Sequence, residues 1–278
     1  MLEQKLQEQL IQSGRDFMKG SRRENAYRDF ESDQMLKRPQ PPLTKAAKHD
    51  TQVLVELPRN FEELDRKQDL LELLRDRRST RVYTQKEISL LQLSFLLWAT
   101  QGVKGLRGKK YATLRTVPSG GARHAFETYL IVRNVTGLQP GAYHYLPMEH
   151  TLEFLHPVEN LEQTITETLR GQSWAAKASV IFYWSAVAYR AEWRYGIHAH
   201  RVALMDAGHV GQNLYLACTA LGIGTCAIAA FSHEACCELF GLDGEEEFVV
   251  YTAPVGTARA EDLAEEQSFY SFVEKEGL

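Results

Sequence analysis

The sequence predicts an α+β fold, in which helices flank a mixed central β-sheet. Helical and strand patterns are interspersed along the chain rather than gathered into separate halves. Two short strand patterns, GAYHYL and TLEFL, follow one another directly within residues 141–155, with turn residues between them. This meander interrupts any regular alternation of strand and helix, so an α+β domain fits better than a doubly wound parallel sheet.

The composition is that of an ordinary folded protein. Of the 278 residues, 44% are apolar and 24% are charged, and 32 Lys and Arg against 36 Asp and Glu give a net charge of −4. This balance argues against a protein that wraps a nucleic acid. The four cysteines form no CxxC motif, which favours a reducing, cytoplasmic setting. The first residues are charged and have no continuous apolar core, which argues against a signal peptide. No run of about 18 apolar residues occurs, which argues against a membrane span.

Residues 1–60 differ from the rest and are predicted to precede a single domain at 61–278. Leu2, Leu6 and Leu10 recur at helical spacing, which predicts one amphipathic helix. The prolines of RPQPPLTKAAKHD then impose an extended path. Two interpretations stay open, a mobile tail or an arm that packs along the body or a partner subunit.

The first half of the domain is predicted to hold two helices and three strands. Apolar spacing predicts a helix at 61–76. The run ISLLQLSFLLW predicts a second helix at 85–101, with Thr84 and Glu87 as a capping box. A buried strand is expected at 127–135, followed by the meander strands 141–146 and 151–155.

The second half continues the alternation of helix and strand. A helix is predicted at 158–171 and a very apolar strand at 178–187. A long helix follows at about 196–221 and ends at Gly222, a common helix stop. The remaining elements are a short strand at 225–231, a helix capped by Ser232, and a last strand at 247–256.

A basic turn, RRSTR, is the first candidate for chemistry. Arg77, Arg78 and Arg81 place three guanidinium groups beside the hydroxyl of Ser79. Guanidinium groups match the oxygens of a phosphate, so the segment is a candidate phosphate site. Taken alone, a solvated basic turn explains it as well.

Two glycine-bearing segments are candidates for binding a flat ring. In LRTVPSGGARHAFE, Pro118 and Ser119 precede Gly120 and Gly121, which let a ring approach the backbone. In GIGTCAIAAF, small residues after Gly224 leave room for a planar group, although close helix–sheet packing explains them equally. Neither segment has the strand–GxGxxG–helix context of a dinucleotide site.

The helix from His198 carries polar residues on one face. Asp206, His209 and Asn213 share a face at helical spacing, which favours a buried polar seam. A metal site using His198 and His200 as well is disfavoured by their spacing. Just before this helix, AYRAEWRYGIHAHR mixes arginines with aromatic residues, a pattern that suits an anionic or planar ligand or a solvated stripe.

Taken in order, these segments resemble the SagB-type dehydrogenases, a branch of the nitroreductase family. The resemblance runs from about residue 61 to 256 and is carried by RRSTR, LSFLLWATQGV, LRTVPSGGARHAFETYL, GAYHYLP, ALMDAGHVGQNLYLA, GIGTC and APVG. Each segment is weak by itself, and the ordered set is specific. The resemblance implies an α+β fold, an intertwined homodimer, and FMN bound at the dimer interface.

The resemblance also implies roles for individual residues. Those expected to hold the FMN phosphate and ribityl chain are Arg77, Arg78, Ser79 and Arg81, with Arg259 as a further cation. Those expected to line the flavin ring are Pro118, Ser119, Gly120, Gly224, Ala227, Ile228 and Ala229.

One departure from the family pattern concerns catalysis. Azoline-oxidising members carry a Lys-Tyr pair shortly before the DAGH helix, where this sequence has Arg194 and Tyr195. Arginine stays charged and cannot act as a base, whereas Tyr195 can still exchange a proton. Arg194 is expected to hold an anionic substrate or to stabilise charge on a reduced flavin.

The expected function is therefore FMN-dependent hydride transfer to or from a small organic or peptide-derived substrate. One substrate class is a nitroaromatic or quinone reduced with NAD(P)H, and the other is an azoline of a modified peptide. A scaffold that has lost turnover is the alternative from another class, and a histidine-based metal hydrolase explains few of the motifs.

Overall fold

A computed structural model describes residues 2–19, 31–47 and 53–259, together with isolated positions after residue 259. Residues 20–30 and 48–52 of the predicted N-terminal segment lie outside the described residues. The division of the chain at residue 60 therefore stays a prediction.

The described helices are seven in number. They are α1 (Leu2–Lys19), α2 (Leu70–Asp76), α3 (Leu90–Gln101), α4 (Leu161–Thr168), α5 (Ala188–Tyr195), α6 (Ala199–Ala220) and α7 (His233–Phe240). Short 3₁₀ turns occur at Phe61–Glu63, Gly120–Ala122, Ser173–Lys177 and Gly196–His198.

Nine strands are described. They are β1 (Leu54–Glu56), β2 (Val103–Arg107), β3 (Ala112–Arg115), β4 (Phe126–Val132), β5 (Gly141–Leu146), β6 (Thr151–His156), β7 (Val180–Val187), β8 (Gly224–Thr225) and β9 (Glu247–Gly256). Seven of them form one sheet in the order β1-β6-β5-β4-β7-β9-β8, and β2 and β3 form a separate hairpin.

The α+β class is confirmed, but the expected mixture of strand directions is not found. Every strand pair of the described sheet is antiparallel. A single parallel bridge, between Ile88 and Val135, lies outside the named strands. Short turns join β4, β5 and β6, and such turns permit only antiparallel pairing.

Helices cover both faces of the sheet. On one face, Leu93 and Leu97 of α3 and Leu214 of α6 pack with the buried Trp184 of β7. On the other face, helices α4 and α7 contribute Ile165 and Phe240, which pack with Tyr183. The alternating side chains of β7 thus serve two cores, which explains why that strand is apolar throughout.

Two predicted helices of the first half begin later than expected. Residues 61–76 hold a 3₁₀ turn and then the short α2, whose first turn is capped by the side chain of Asp69 accepting from the N–H of Glu72. Helix α3 begins at Leu90 because Ser89 and Gln92 form the capping box. The predicted cap residue Thr84 pairs instead with Thr257.

In the second half, two elements are shorter than predicted, and an additional helix precedes the predicted long one. Helix α4 covers only Leu161–Thr168, and the short strand expected at 225–231 is reduced to Gly224–Thr225. A separate helix, α5, precedes α6 and is joined to it by the 3₁₀ turn from Gly196. The end of α6 before Gly222 is confirmed, with Gly222 at φ +66°.

Residues 31–47 lie along the body of the same chain. The backbone N–H of Gln34 donates to the carbonyl of Trp193 at 2.8 Å, and the indole N–H of Trp193 donates to the carbonyl of Arg38 at 3.0 Å. Further along, Lys45 forms an ion pair with Glu247 of β9. The proline-bearing stretch therefore follows the body rather than departing from it.

Of the helices described, none combines the length and the apolar character that crossing a lipid bilayer requires.

Candidate functional site

The RRSTR segment leaves the end of α2 in an extended conformation and divides its side chains between two sides. The N–H of Thr80 donates to the carbonyl of Thr225 at 2.9 Å, and its buried side chain packs beneath Gly224. Ser79 turns the other way, and its hydroxyl lies 2.9 Å from the hydroxyl of Tyr215 on α6. The guanidinium of Arg77 lies over the same tyrosine ring, 5.4 Å from its centroid.

Tyr215 connects this basic segment to the segment that follows α6. Its hydroxyl oxygen accepts a hydrogen bond from the N–H of Ala227 at 2.9 Å. We call Arg77, Ser79, Tyr215 and Ala227 the tyrosine cluster. It brings a cation, two hydroxyl groups and a half-buried backbone segment together at one place.

The other residues predicted to contact the ring differ in their exposure. The side chain of Ile228 is buried in the core, and its N–H donates to the carbonyl of Thr252 at 2.8 Å. Ala229 is exposed. Gly224 is a buried packing position, since a Cβ there would stand 2.6 Å from Thr80 Cγ2. Close packing, the alternative left open by the sequence, therefore accounts for Gly224.

Arg81 and Arg259, predicted to act together, line one cleft of about 600 Å³. Tyr83 and Trp174 stack along it with ring centroids 6.3 Å apart, and Lys177 adds a third cation. The structure thus gives this part of the basic set a shared surface.

Arg78 departs from the predicted phosphate set. It lines a smaller cavity of about 160 Å³, together with Lys67, Asp76 and Gly222. The reason is the extended path of the segment, on which consecutive side chains point to opposite sides. Arg78 therefore lies on the side of Thr80 and away from Ser79.

The PSGG loop is held by α6. The N–H of Gly120 donates to both carboxylate oxygens of Asp206, each at 3.1 Å. Ser119 accepts from the N–H of His124 at 2.9 Å. Burial raises the pKa of Asp206, and hydrogen bonds from Ser119 and Gly120 oppose that rise. Asp206, one residue of the polar face expected on this helix, therefore holds the PSGG loop in place.

The two glycines of this loop make room for side chains of the same chain. A Cβ on Gly120 would stand 2.3 Å from Val202 Cγ1, and one on Gly121 would stand 2.4 Å from Arg194 Nε. Gly121 also has φ +55°, which favours glycine. These contacts give the glycine pair a packing role that the sequence could not distinguish from contact with a flat ring.

Arg194 and Tyr195, the predicted catalytic pair, lie against the PSGG loop. A guanidinium nitrogen of Arg194 donates to the hydroxyl of Tyr111 at 2.9 Å and to Gln34 Oε1 at 3.2 Å. The guanidinium carbon lies 5.6 Å from the centroid of the Tyr195 ring. The Tyr195 hydroxyl faces the loop, since a Cβ on Gly121 would stand 2.8 Å from it.

The tyrosine cluster and the PSGG loop contact opposite sides of α6. Asp206 and Tyr215 are about two and a half helical turns apart, which separates them by about 13 Å along the axis and places them on opposite faces. A single chain therefore does not bring the predicted phosphate residues and the predicted ring residues to one side of this helix.

The histidines weighed as metal ligands have other neighbours. His200 Nε2 lies 2.8 Å from a carboxylate oxygen of Glu192, and His209 Nδ1 lies 3.9 Å from Asp206. Within the part of the chain that the structure describes, no group of three His, Cys, Asp or Glu side chains is arranged to hold a metal ion.

Three residues that the sequence did not single out position the predicted site residues. Tyr215 joins Ser79 to Ala227, while Tyr111 and Gln34 orient Arg194. Gln34 belongs to no motif, and Tyr111 lies in a hairpin that the hydrophobic pattern did not indicate. Tyr215 stands within ALMDAGHVGQNLYLA, so the motif itself was the available signal.

Comparison with known proteins identifies a family that this chain matches over most of its length. Residues 74–257 match the Nitroreductase family. A protein of Methanocaldococcus jannaschii that carries the name nitroreductase MJ1384 is 34% identical to this chain over 187 residues. The match covers 67% of this chain and 90% of that protein. The microcin B17-processing protein McbC of Escherichia coli is 28% identical over 136 residues, which cover 46% of this chain and 49% of McbC.

A solved structure gives the same fold. The E. coli microcin synthetase McbBCD complex with truncated pro-MccB17 contains a chain that matches with a TM-score of 0.58 and 18% identity. The match covers 88% of this chain and 94% of that one. This chain therefore belongs to the nitroreductase family, a family of oxidoreductases, as its motifs predicted.

Proposed function

We propose that this chain is an FMN-dependent oxidoreductase that transfers hydride between the flavin and an organic or peptide-derived substrate. The tyrosine cluster is the observation that carries the proposal. It sets the guanidinium of Arg77 over the ring of Tyr215 and the hydroxyl of Ser79 beside the hydroxyl of the same tyrosine. Guanidinium and hydroxyl donors are the groups that bind phosphate esters, so this donor set fits the phosphate of FMN.

The adjoining cleft supports the same assignment. Arg81 and Arg259 both line it, which supports their predicted role as further cations for the phosphate end of the cofactor. Bound FMN supplies the hydride chemistry, and the protein supplies position, charge and exclusion of water. Arg78 is left out of this set because it lines a different cavity.

A homodimer is part of the proposal because the predicted phosphate and ring residues contact opposite faces of α6. Leu204 and Met205 are about half exposed on that helix, and a Cβ on Gly208 would meet nothing within 4 Å. The proposal requires a second copy packed on this exposed face, with its own PSGG loop near the first chain's tyrosine cluster. The complete flavin site would then draw residues from both copies, as the family resemblance implies.

Tyr195 and Arg194 are assigned to the substrate side of the flavin. The hydroxyl of Tyr195 can donate or accept a proton, and it lies at the PSGG loop. Arg194 keeps its charge, and its hydrogen bonds to Tyr111 and Gln34 orient that charge. The pair is suited to donating a proton while stabilising negative charge, which favours reduction of a small electrophile such as a nitroaromatic or quinone, with NAD(P)H as the electron donor.

Oxidation of an azoline in a modified peptide is the second candidate, and the similarity to McbC favours it. In that reaction the substrate loses a proton and a hydride. Because arginine cannot serve as the base, Tyr195 would have to accept the proton by itself. A scaffold without turnover is disfavoured, since the tyrosine cluster would then have no ligand.

The proposal is tested by the visible spectrum of the purified protein. We expect a yellow protein that releases about one FMN per chain and is bleached by NAD(P)H. Arg77→Ala combined with Arg81→Ala should weaken FMN binding about a hundredfold. Arg75→Ala combined with Arg78→Ala removes the same charge from the same region and should retain the flavin.

Two results would contradict the proposal in different ways. A colourless protein that does not take up added FMN would exclude the flavoenzyme. Equal loss of FMN from both double variants would keep the flavoenzyme but exclude the tyrosine cluster as its phosphate site.

A further inference from the structure

The β2–β3 hairpin carries a concentration of positive charge that the proposed function does not use. Lys104, Arg107, Lys109 and Lys110 lie on the hairpin or its turn and are exposed, and we call them the hairpin cations. Among the described residues, no carboxylate lies within ion-pair distance of any of the four, although the chain as a whole is acidic. The sequence explains this, because Glu87 and Glu127 are separated by a stretch without any Asp or Glu.

The hairpin also has an open strand edge. Strand β2 pairs with β3 in antiparallel register, and within the described residues it has a strand partner on that side only. Leu106 and Leu114 are 43% and 45% exposed on the two strands. An exposed strand edge is a template for adding an extended peptide strand.

The turn end of the hairpin is fixed to the candidate catalytic pair. Tyr111, next to β3, accepts from Arg194 through its hydroxyl and from the guanidinium of Arg123 through its backbone carbonyl at 3.0 Å. Arg123 lies between the rings of Tyr111 and Trp193, at 4.9 Å and 5.3 Å from their centroids. It also donates to the carbonyl of Gly121 at 3.1 Å. A chain bound along the hairpin would therefore be held beside the substrate side of the flavin.

We propose that the β2–β3 hairpin docks an extended, acidic segment of a peptide substrate, which adds to the free edge of β2 and meets the hairpin cations. The inference rests on the peptide-derived form of the proposed function and names the class of peptide. Charge complementarity argues for an acidic partner. A nucleic acid fits less well, because the hairpin's aromatic residue, Tyr111, is half-buried and already hydrogen-bonded, so it offers no exposed ring for a base.

Fluorescence anisotropy with a defined probe tests the proposal. The probe is a fluorescein-labelled peptide of alternating Glu and Thr, compared with the same peptide carrying Gln for Glu and with a single-stranded oligothymidine of equal length. We expect the Glu peptide to bind FMN-loaded protein about tenfold more tightly than the Gln peptide, and to weaken as salt rises from about 0.05 M to about 0.3 M.

A matched pair of charge reversals locates the site. Lys104→Glu with Lys109→Glu should weaken binding of the Glu peptide about tenfold. Lys86→Glu with Arg170→Glu changes the net charge equally at exposed positions elsewhere and should leave it within about twofold. N-methylation of alternate residues of the probe should also weaken binding, because it removes the backbone donors that pair with a strand edge.

The outcomes separate this inference from the proposed function. Equal weakening in both double variants, equal binding of the Gln peptide, or tighter binding of oligothymidine would overturn the docking site. FMN content and NAD(P)H-dependent reduction of a nitroaromatic are measured on the same samples, and both should survive in the Lys104/Lys109 variant. Wild-type protein that neither contains FMN nor takes up added FMN would count against the proposed function whatever the peptide does.

Discussion

A single hydroxyl group, that of Tyr215, joins three parts of the chain that are distant in sequence. It meets Ser79 after α2 and the N–H of Ala227 after α6. Removing it would leave Ser79 without this partner and loosen the segment around Ala227. Local spacing could not predict this contact, because a helical periodicity indicates which face a side chain occupies and not which loop covers it.

Tyr195 carries the clearest prediction for catalysis. Tyr195→Phe should lower turnover about a hundredfold while FMN stays bound, because only the proton-exchanging hydroxyl is lost. Steady-state rates with NAD(P)H and a nitroaromatic, together with FMN content, measure the two effects separately.

Tyr189→Phe provides the control for this substitution. Tyr189 lies on the same helix, but its hydroxyl donates to Asp33 at 2.7 Å, so turnover should stay within about twofold. An unchanged rate for Tyr195→Phe would remove that residue from the chemistry.

His124 predicts how stability depends on pH. Burial, helped by the nearby guanidinium groups of Arg115 and Arg123, lowers the pKa of His124 to about 3. Below pH 6.5 the unfolded chain binds a proton at this position that the folded chain excludes, so acid lowers the free energy of unfolding. His124 should contribute a slope of up to about 1.4 kcal/mol per pH unit between about pH 6.5 and pH 3.

His124→Asn should flatten that part of the profile. Asparagine tolerates the left-handed backbone at this position, where φ is +45°. Urea unfolding at several pH values would show variant and wild type diverging only below about pH 6.5. Parallel profiles down to pH 4 would show that His124 does not have the lowered pKa.

At the scale of the element, two capping boxes were possible at the start of α3, and the structure contains the one formed by Ser89 and Gln92. The side chain of Ser89 accepts from the N–H of Gln92 at 3.1 Å, and Gln92 accepts from the N–H of Ser89 at 2.8 Å. Ser89→Ala should therefore cost about 1 kcal/mol of unfolding free energy. Glu87→Ala removes the residue of the capping box that the sequence predicted, and it should cost less than about 0.5 kcal/mol.

Chemical denaturation of the two variants decides between these boxes. A larger loss for Glu87→Ala than for Ser89→Ala would restore the earlier helix start. The sequence left the choice open because both pairs have the required spacing. In the structure Ile88 forms a bridge with Val135, so the helix begins after it, at the Ser89 capping box.

The proline-bearing segment at 31–47 provides hydrogen-bond partners to charged side chains that are buried at the edge of the body. Arg190 donates to the carbonyl of Pro42 at 3.0 Å and pairs with the buried Glu127. The backbone N–H of Lys45 donates to Glu127 at 2.9 Å. Glu127 also meets His144, whose pKa rises because two carboxylates outweigh the effect of burial. The segment thus helps to satisfy polar groups that the sheet buries.

At the scale of the whole molecule, the proposed dimer makes a prediction about the cofactor. Met205→Glu places a charge on the exposed face of α6, where Met205 is 54% exposed. We expect this variant to be monomeric by sedimentation and to lose FMN, because the flavin site would need both copies. A buried charge at an interface is costly enough to dissociate it.

Met148→Glu is the matched control, since Met148 is also exposed and lies in the turn between β5 and β6. It should leave both assembly and FMN content unchanged. A monomeric Met205→Glu protein that keeps one FMN per chain would show that a single chain holds the whole site.

The sequence by itself determined the fold class, the family and most strands. Strands β5 and β9 have the bounds that their patterns predicted, because apolar residues between turn signals leave one interpretation. The ordered motifs also identified the family, since their order along the chain is information that a single sequence contains.

The tertiary structure decided how the motif residues are grouped. The sequence set Arg78 beside Arg77 and Ser79, but the extended path of the segment turns it to another cavity. It predicts the PSGG loop and the basic turn in one flavin site at a dimer interface, and within a single chain α6 holds them on opposite faces, so the proposed site requires a second copy. Spacing along a chain specifies local periodicity, whereas the grouping of side chains depends on which distant segments pack together.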